Sequence, residues 1–311
     1  MSYGDPRYGG NPGRQMMSRL GARMIPILLG LLVVGFTMIR GCERGPFGRN
    51  QVLAVKGAQE MALGAQAFQQ VLQTADIEDD GPEVRAVEKI AQRLINAASN
   101  PSFLAAAGLK PQDFDWKLRV IRSREVNAFC LPGGKIVVYT AIVPVAETDA
   151  GLATVIGHEI GHALAHHGSE RMATQQMTQI GMVAAGAAMG DLDPRQRQGL
   201  LQALNAGAQF GILKYSRTHE SEADHIGILL MAAAGYDPSE SIRFWERMTH
   251  ATRGGQKPPE FLSTHPSDQT RIRNLTNWIP DAMPLYDASS DKGETQVLPK
   301  ELGPAPVIDE Q

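Results

Sequence analysis

His158, Glu159 and His162 form the pattern His-Glu-x-x-His near the middle of the 311-residue chain. On an α-helix, residues four apart lie on the same face, so His158 and His162 point in the same direction. Two imidazoles at this spacing can bind one Zn²⁺ at about 2.0–2.1 Å. Glu159 then lies beside the metal without binding it, where a general base for the attacking water is needed. The spacing predicts a zinc hydrolase.

The residues around this motif predict a buried helix that begins near Thr148 and ends before Gly168. Its apolar residues recur at helical spacing, namely Leu152, Val155, Ile156, Ile160, Ala163 and Leu164. The alternative is that the two histidines and the glutamate are core residues without a metal. Burying three such polar groups unpaired is costly, so we favour the metal site.

A catalytic zinc takes three protein ligands, so a third residue must come from elsewhere in the chain. His166 lies on the same helix face, but three ligands along one straight helix cannot converge on one ion. Glu220 and Glu222, in a predicted helix over residues 217–234, are the candidates. Glu220 shares a face with Asp224, whereas Glu222 points about 160° away from Asp224. This favours Glu220 as the ligand, with Asp224 accepting a hydrogen bond from a metal-binding histidine.

Four stretches of the sequence resemble the gluzincin metallopeptidases that include the CAAX prenyl endopeptidase, HtpX-like and OMA-type proteases. In the order of that family, they are Asn127-Ala128-Phe129 with Pro132-Gly133-Gly134, then residues 158–162, residues 220–224, and Thr264-His265-Pro266 with Arg271-Ile272. The resemblance implies one Zn²⁺ per chain, bound by His158, His162 and Glu220. It implies that Glu159 is the catalytic acid and base and that Asp224 supports a ligand. The implied fold is α+β, a mostly helical zincin-like domain with a small sheet.

Residues 126–131 and 135–142 flank the turn Pro132-Gly133-Gly134 and predict a β-hairpin. An exposed strand edge can bind an extended peptide through its backbone. We therefore predict that the substrate contacts this hairpin, at the residues Asn127, Ala128, Phe129, Pro132, Gly133 and Gly134.

His265 lies in a segment, residues 258–266, that lacks a regular pattern, and we predict that it is a catalytic residue on a loop. Pro266 restricts the backbone of His265 to extended conformations, which helps to aim the side chain. Two roles remain open: stabilising the oxyanion, or closing the open position of the metal at rest. The structural alternative is a histidine at a helix start that is bonded to a carbonyl.

The N-terminal part predicts a membrane attachment. Residues 1–23 are rich in Gly, Arg and Pro and are expected to be disordered, and residues 24–39 carry no charge. This run is slightly shorter than the about 17–25 residues of a membrane span, but flanking arginines can lengthen it by snorkelling. We favour an uncleaved single-pass anchor over residues 24–40, with lipid attachment at Cys42 as the alternative. The catalytic domain is then expected on the extracytoplasmic side.

The remaining boundaries follow from composition. Residues 41–50 are predicted to be a linker, residues 51–280 the metallopeptidase domain, and residues 281–311 a disordered acidic tail. The apolar, small-residue-rich segment 171–216 is interpreted as a helical hairpin packed on the core, or else as a cover or membrane-dipping element. The net charge of −3 argues against a nucleic-acid-binding protein.

These features predict a membrane-tethered zinc metalloendopeptidase that hydrolyses peptide bonds in protein substrates, including a role in protein quality control. One alternative is a metal-binding chaperone or envelope assembly factor with secondary proteolysis. Another is a zinc hydrolase that does not act on peptides. Glu159 argues against the first alternative because a holding protein needs no general base. The strand edge argues against the second.

Overall fold

The computed structural model describes residues 12–189, 216–250, 260–265 and 269–299, together with a few isolated positions between 193 and 202. This part of the chain is mostly helical with two small sheets, which confirms the predicted α+β class. Its helices are α1 (Pro12–Gly41), α2 (Ala58–Leu72), α3 (Pro82–Ala97), α4 (Pro101–Ala107), α5 (Val143–Ala146), α6 (Asp149–Leu164), α7 (His167–Ala188), α8 (Arg217–Ala233), α9 (Glu240–His250), α10 (Glu260–Thr264) and α11 (Gln269–Ala288). Its strands are β1 (Cys42–Arg44), β2 (Asn50–Val52), β3 (Ile77–Glu78), β4 (Lys117–Ile121), β5 (Ala128–Leu131) and β6 (Lys135–Tyr139).

The larger sheet has the strand order β3-β4-β6-β5. β4 runs parallel to β6, and β5 pairs antiparallel with β6 around the turn 132–134. The predicted hairpin is therefore confirmed. β5 forms one edge of the sheet and packs on α6, so this edge lies next to the metal-motif helix.

The metal-motif helix α6 is the centre of the core, and every residue from Ala150 to Leu164 is buried. Thr148 caps its start by accepting a hydrogen bond from the Gly151 N–H, as the sequence predicts. α3 packs its apolar face on α6, and α8 crosses it. A Cβ atom on Gly157 would lie 3.2 Å from the Gly227 carbonyl oxygen. The backbones of α6 and α8 are therefore in contact where they cross.

α7 follows α6 after a sharp turn at His166, which has a φ of +55°. α1 packs alongside α7, and a Cβ atom on Gly30 would lie 3.1 Å from the Ala184 Cβ. Of the hairpin predicted for residues 171–216, the structure describes α7, while most of residues 190–215 lie outside the described residues. Among the helices in the described ranges, none has both the length and the apolar character to cross a bilayer. The anchor over residues 24–40 stays a prediction.

The N-terminal boundaries differ from the prediction in two ways. α1 already begins at Pro12, so the segment predicted to be disordered is helical from that residue onward, whereas residues 1–11 lie outside the described part. Proline is well suited to the first turn of a helix, where its missing N–H costs nothing. The predicted linker over 41–50 is wrong, because β1 and β2 form an antiparallel hairpin there. Its Gly- and Pro-rich composition reflects a tight turn at Pro46–Gly48.

The disordered tail predicted from residue 281 is also wrong as far as residue 299. α11 continues past two prolines to Ala288, and the following segment returns to the start of α6. Asp149 N–H donates to the Gln296 carbonyl at 2.9 Å, and Leu298 N–H donates to the Glu147 carbonyl at 2.9 Å. Leu298 is buried in the core. The composition of this segment is typical of disorder, but contacts with residues far away in the sequence order it. Residues 300–311 lie outside the described part.

Candidate metal centre

His158, His162, Glu220 and His265 meet in one buried cluster, in which one ligand-type atom from each residue lies within 4.8 Å of the others. The Nε2 atoms of His158 and His162 are 3.1 Å apart. Glu220 Oε1 lies 3.4 Å from His162 Nε2, and Glu220 Oε2 lies 3.6 Å from His158 Nε2. The three predicted ligands are thus brought together from α6 and α8, and His265 joins them from the end of α10.

Asp224 contacts the side of His158 that faces away from the cluster. Its Oδ1 lies 2.8 Å from His158 Nδ1. The two atoms are in contact without meeting hydrogen-bond geometry, and the carboxylate still favours a proton on Nδ1, which leaves Nε2 as the nitrogen directed at the cluster. Burial by itself lowers the pKa of His158, but Asp224 and Glu220 outweigh it and raise that pKa to about 9, so a metal that binds at Nε2 has to displace a proton. This is the position that the sequence predicts for Asp224.

Arg271 neutralises the acidic side of the cluster and is itself buried. Its guanidinium donates to Asp224 through Nε at 2.5 Å and to Glu220 Oε2 through Nη2 at 2.8 Å. It also lies over the Trp245 ring, 3.7 Å from the centroid. No role for Arg271 was predicted from the sequence. The pair Glu220 and Asp224 could have indicated such a residue, because two buried carboxylates on one helix face need a nearby cation.

Glu159 lies beside the cluster with one oxygen unpaired. Its Oε2 accepts a hydrogen bond from the Cys130 N–H at 3.3 Å. Its Oε1 is buried and makes no hydrogen bond to the described residues, although His265 Nε2 is 3.4 Å away. Burial raises the pKa of Glu159. An unpaired buried carboxylate oxygen next to two imidazole nitrogens and a carboxylate fits a zinc site with an adjacent base.

His265 is only 2% exposed and directly follows α10, a short helix in the segment that was predicted to lack a regular pattern. Its N–H donates to the Phe261 carbonyl at 2.8 Å, which continues the helical turn. Its side-chain Nδ1 lies 3.0 Å from Glu220 Oε1 and 3.2 Å from His158 Nε2. The imidazole therefore enters the cluster itself.

Two further residues, His167 and Glu222, support His162. His162 Nδ1 lies 2.9 Å from His167 Nδ1, and His167 Nε2 lies 2.8 Å from Glu222 Oε2. Burial lowers the pKa of His167 to about 4. Sequence reasoning missed His167 because the turn at His166, which folds it back onto α6, is not visible in a helical pattern. Glu222, the rejected ligand candidate, lies outside the cluster but is also buried.

The predicted substrate strand lies next to Glu159, as the hydrogen bond from Cys130 indicates. Ala128 is buried, Phe129 packs edge-on against Tyr139, and Asn127 Oδ1 accepts from the Ala128 N–H. The turn differs from the prediction. Gly133 and Gly134 are buried, and the Pro132 carbonyl packs directly on Gly64 of α2. These three residues therefore shape the hairpin and offer little surface to a peptide.

Comparison with known proteins gives a consistent result. The sequence profile of peptidase family M48 matches residues 85–279. The chain is 36% identical over 215 residues to the mitochondrial metalloendopeptidase OMA1 of Schizosaccharomyces pombe, an alignment that covers 69% of this chain and 58% of the relative. It is 32% identical over 259 residues to the Saccharomyces cerevisiae protein of that name, covering 78% and 70%. It is 27% identical over 237 residues to the beta-barrel assembly-enhancing protease of Escherichia coli K12, covering 75% and 46%.

Proposed function

Since the chain belongs to peptidase family M48, we propose that it is a membrane-associated zinc metalloendopeptidase that hydrolyses peptide bonds in protein substrates. The observation that carries the proposal is the cluster of His158, His162 and Glu220 with the unpaired oxygen of Glu159 beside it. A role in protein quality control is part of this proposal, on the resemblance of the four sequence stretches to HtpX-like and OMA-type proteases.

In the proposed mechanism, His158 and His162 would hold the metal through Nε2, and Glu220 would hold it through its carboxylate. Zn²⁺, when bound, polarises the scissile carbonyl and lowers the pKa of water. Glu159 accepts the proton of the attacking water at Oε1 and returns it to the leaving amine. Asp224 fixes the ring of His158 from the other side, and Arg271 holds Glu220 and Asp224 in place.

The peptide would bind along the edge of β5. This strand is the outermost one of its sheet, and the Cys130 N–H points away from β6 to Glu159. An extended substrate that pairs with this edge would pass beside the general base. Asn127, Ala128 and Phe129 belong to this edge, which supports their predicted contact with substrate.

Membrane association would come through α1. Large apolar side chains of this helix are exposed, namely Ile25, Leu28, Leu29, Leu31, Leu32, Val33, Phe36, Met38 and Ile39. An apolar surface of this extent is typical of a contact with lipid or protein. The uncharged run 24–39 and the packing of α7 against α1 support a lipid-facing pair of helices. A carbene-generating lipid photolabel should mark residues 24–39; full-length protein in the soluble fraction would contradict this.

The decisive experiment compares the full-length chain in detergent with its Glu159→Gln variant. Metal analysis should find one zinc per chain in both proteins, because Glu159 is not a ligand. Cleavage of casein should be lost in the variant. Wild-type cleavage by Glu159→Gln would reject the mechanism. The alternative, an assembly factor with secondary proteolysis, predicts instead that a holding activity on unfolded protein survives in Glu159→Gln undiminished.

A further inference from the structure

We propose that Arg49 is a positioning residue of the metal centre, and that it links the hairpin Cys42–Val52 to the ligand His162. The inference rests on the proposed metal site. Arg49 lies in the hairpin that directly follows α1, so the same contacts connect this helix to the metal centre.

The hairpin is seated firmly on the catalytic domain by its tip. Phe47 has a φ of +50°, an uncommon conformation for a residue with a side chain. Its ring stacks on His225 at 4.3 Å between centroids, and His225 stacks on Trp278 at 4.4 Å. A backbone in such a conformation persists only where surrounding contacts fix it. Arg49, two residues further on, is therefore held at a defined place.

The guanidinium of Arg49 bridges two carboxylates that come from different helices. Nη1 and Nη2 each donate to one oxygen of Glu170 in α7 at 2.8 Å. Nε and Nη2 donate to Glu222 Oε2 in α8 at 3.0 and 2.7 Å. Two-pronged contacts of this kind fix direction as well as distance, because the guanidinium is planar and its donors are fixed. Arg49 thereby sets where the carboxylate of Glu222 lies.

Glu222 in turn sets the orientation of His162 through His167. When His162 uses Nε2 for the metal, its remaining proton is on Nδ1, which donates to His167 Nδ1 at 2.9 Å. His167 then carries its proton on Nε2 and donates it to Glu222 Oε2 at 2.8 Å. The carboxylate at the end of this series selects one tautomer for both rings. A metal ligand is thus held by a carboxylate two contacts away, and Arg49 holds that carboxylate.

The alternative is a purely structural role, in which Arg49 only holds the hairpin on the catalytic domain. The two explanations differ in what happens to a protein that is still folded. A purely structural contact affects only the free energy of unfolding. A positioning residue also affects zinc affinity and the geometry of the bound metal, and loss of partners of this kind typically weakens metal binding by about 10–100-fold.

Arg247 supplies a matched control. Its side chain is 22% exposed, compared with 24% for Arg49, and it too bonds a buried glutamate, Glu240. It also donates to the carbonyls of Val145 and Ala146, so its role is to hold α9 against α5. None of these contacts leads to His162. Arg247→Met should therefore lower the stability of the chain while leaving its zinc affinity unchanged.

The test uses the full-length chain in detergent, with zinc affinity measured by chelator competition and site geometry by the visible absorption of bound Co²⁺. We expect Arg49→Met to bind zinc about 10–100-fold more weakly and to alter the cobalt spectrum. The zinc affinity of Arg49→Lys should fall between those of Arg49→Met and the wild type. A lysine restores the positive charge but not the planar guanidinium that donates to both carboxylates. Circular dichroism checks that each variant is folded.

Wild-type affinity and an unchanged cobalt spectrum in Arg49→Met would overturn the inference, as would an equal loss in Arg247→Met. If Arg49→Met does not fold, Arg49→Lys decides, and a wild-type affinity and spectrum in that variant overturn the inference. A wild-type chain that binds no zinc would instead reject the proposed function. The two failures are therefore distinguishable.

Discussion

Gly161 of α6 lies directly against Ala223 of α8, so close that a Cβ atom on Gly161 would stand 2.8 Å from the Ala223 carbonyl oxygen. His162 and Glu220 flank this contact on the two helices. The distance between their metal-facing atoms is therefore set by how closely the two backbones approach. The glycine in the metal motif is a spacing element, which its sequence alone does not indicate.

Gly161→Ala is expected to separate the two helices and to lower the free energy of unfolding by about 1–3 kcal/mol, the usual cost of overpacking. Zinc affinity should fall with it, because Glu220 moves away from the histidines. Gly181→Ala is the control, since a Cβ atom on Gly181 of α7 meets nothing within 4 Å. That change should be neutral or stabilising. Urea unfolding and chelator competition measure the two effects, and identical behaviour of both variants would contradict the prediction.

Glu220→Gln should lose far more zinc affinity than Glu222→Gln. The oxygens of Glu220 lie in the cluster, whereas those of Glu222 contact His167 and Arg49. Loss of a ligand removes a metal bond, while loss of an outer partner costs about 10–100-fold. Competition with a fluorescent zinc chelator gives both constants. Equal affinities, or the reverse order, would reject this assignment of the two glutamates.

His265→Ala should raise the rate of peptide cleavage when it is measured at full zinc occupancy. The Nδ1 of His265 lies among the ligand atoms, which favours the resting-state role over that of an oxyanion donor. The expected gain is about the inverse of the fraction of molecules whose site is open at rest. Removing an oxyanion donor would instead lower the rate by about 10²–10³-fold. The double variant with Glu159→Gln should be inactive, which checks that the added activity arises at this site.

The ion pair of Glu170 should stabilise the protein only above acidic pH. Although burial raises the pKa of Glu170, hydrogen bonds from Arg49 and His219 lower it from 4.5 to about 2. A depressed folded-state pKa means that the stabilisation is complete above pH 4.5 and is lost as the pH falls toward 2. At pH 6, Glu170→Gln should lower the free energy of unfolding of the metal-free protein by about 1.5–3 kcal/mol.

That difference between wild type and Glu170→Gln should shrink when urea unfolding is repeated at successively lower pH below 4.5. Glu43→Gln is the control, because it removes only an exposed ion pair with Lys56 and should cost less than about 1 kcal/mol. A difference for Glu170→Gln that stays constant down to pH 3 would show that the contact does not depend on the charge of Glu170.

Local patterns predicted the metal-motif helix and the β5–β6 hairpin, and the shared helix face favoured Glu220 over Glu222, while the family resemblance implied the full set of His158, His162 and Glu220. These features depend on spacing within one element, or on two residues sharing a helix face. His167 and Arg271 were missed because they act through contacts between elements. His167 contacts His162 only because the backbone turns at His166 with a positive φ. Arg271 pairs with the carboxylates of Glu220 and Asp224 on α8.

The errors at the two ends have a related cause. The hairpin Cys42–Val52 and the segment after Ala288 contain many residues that are typical of disorder. Each is ordered by partners far away in sequence, through Phe47 and Arg49 in the first case and Leu298 in the second. Composition measures how a segment behaves by itself, so it underestimates order that comes from docking.

The return of residues 296–298 to the start of α6 has a consequence for the order of events during synthesis. The Asp149 N–H and the Glu147 carbonyl obtain their partners only after Leu298 has left the ribosome. The first turn of the metal-motif helix can close through its local bonds to Thr148, but the contacts that fix the entrance of the helix must wait until residues 296–298 have emerged.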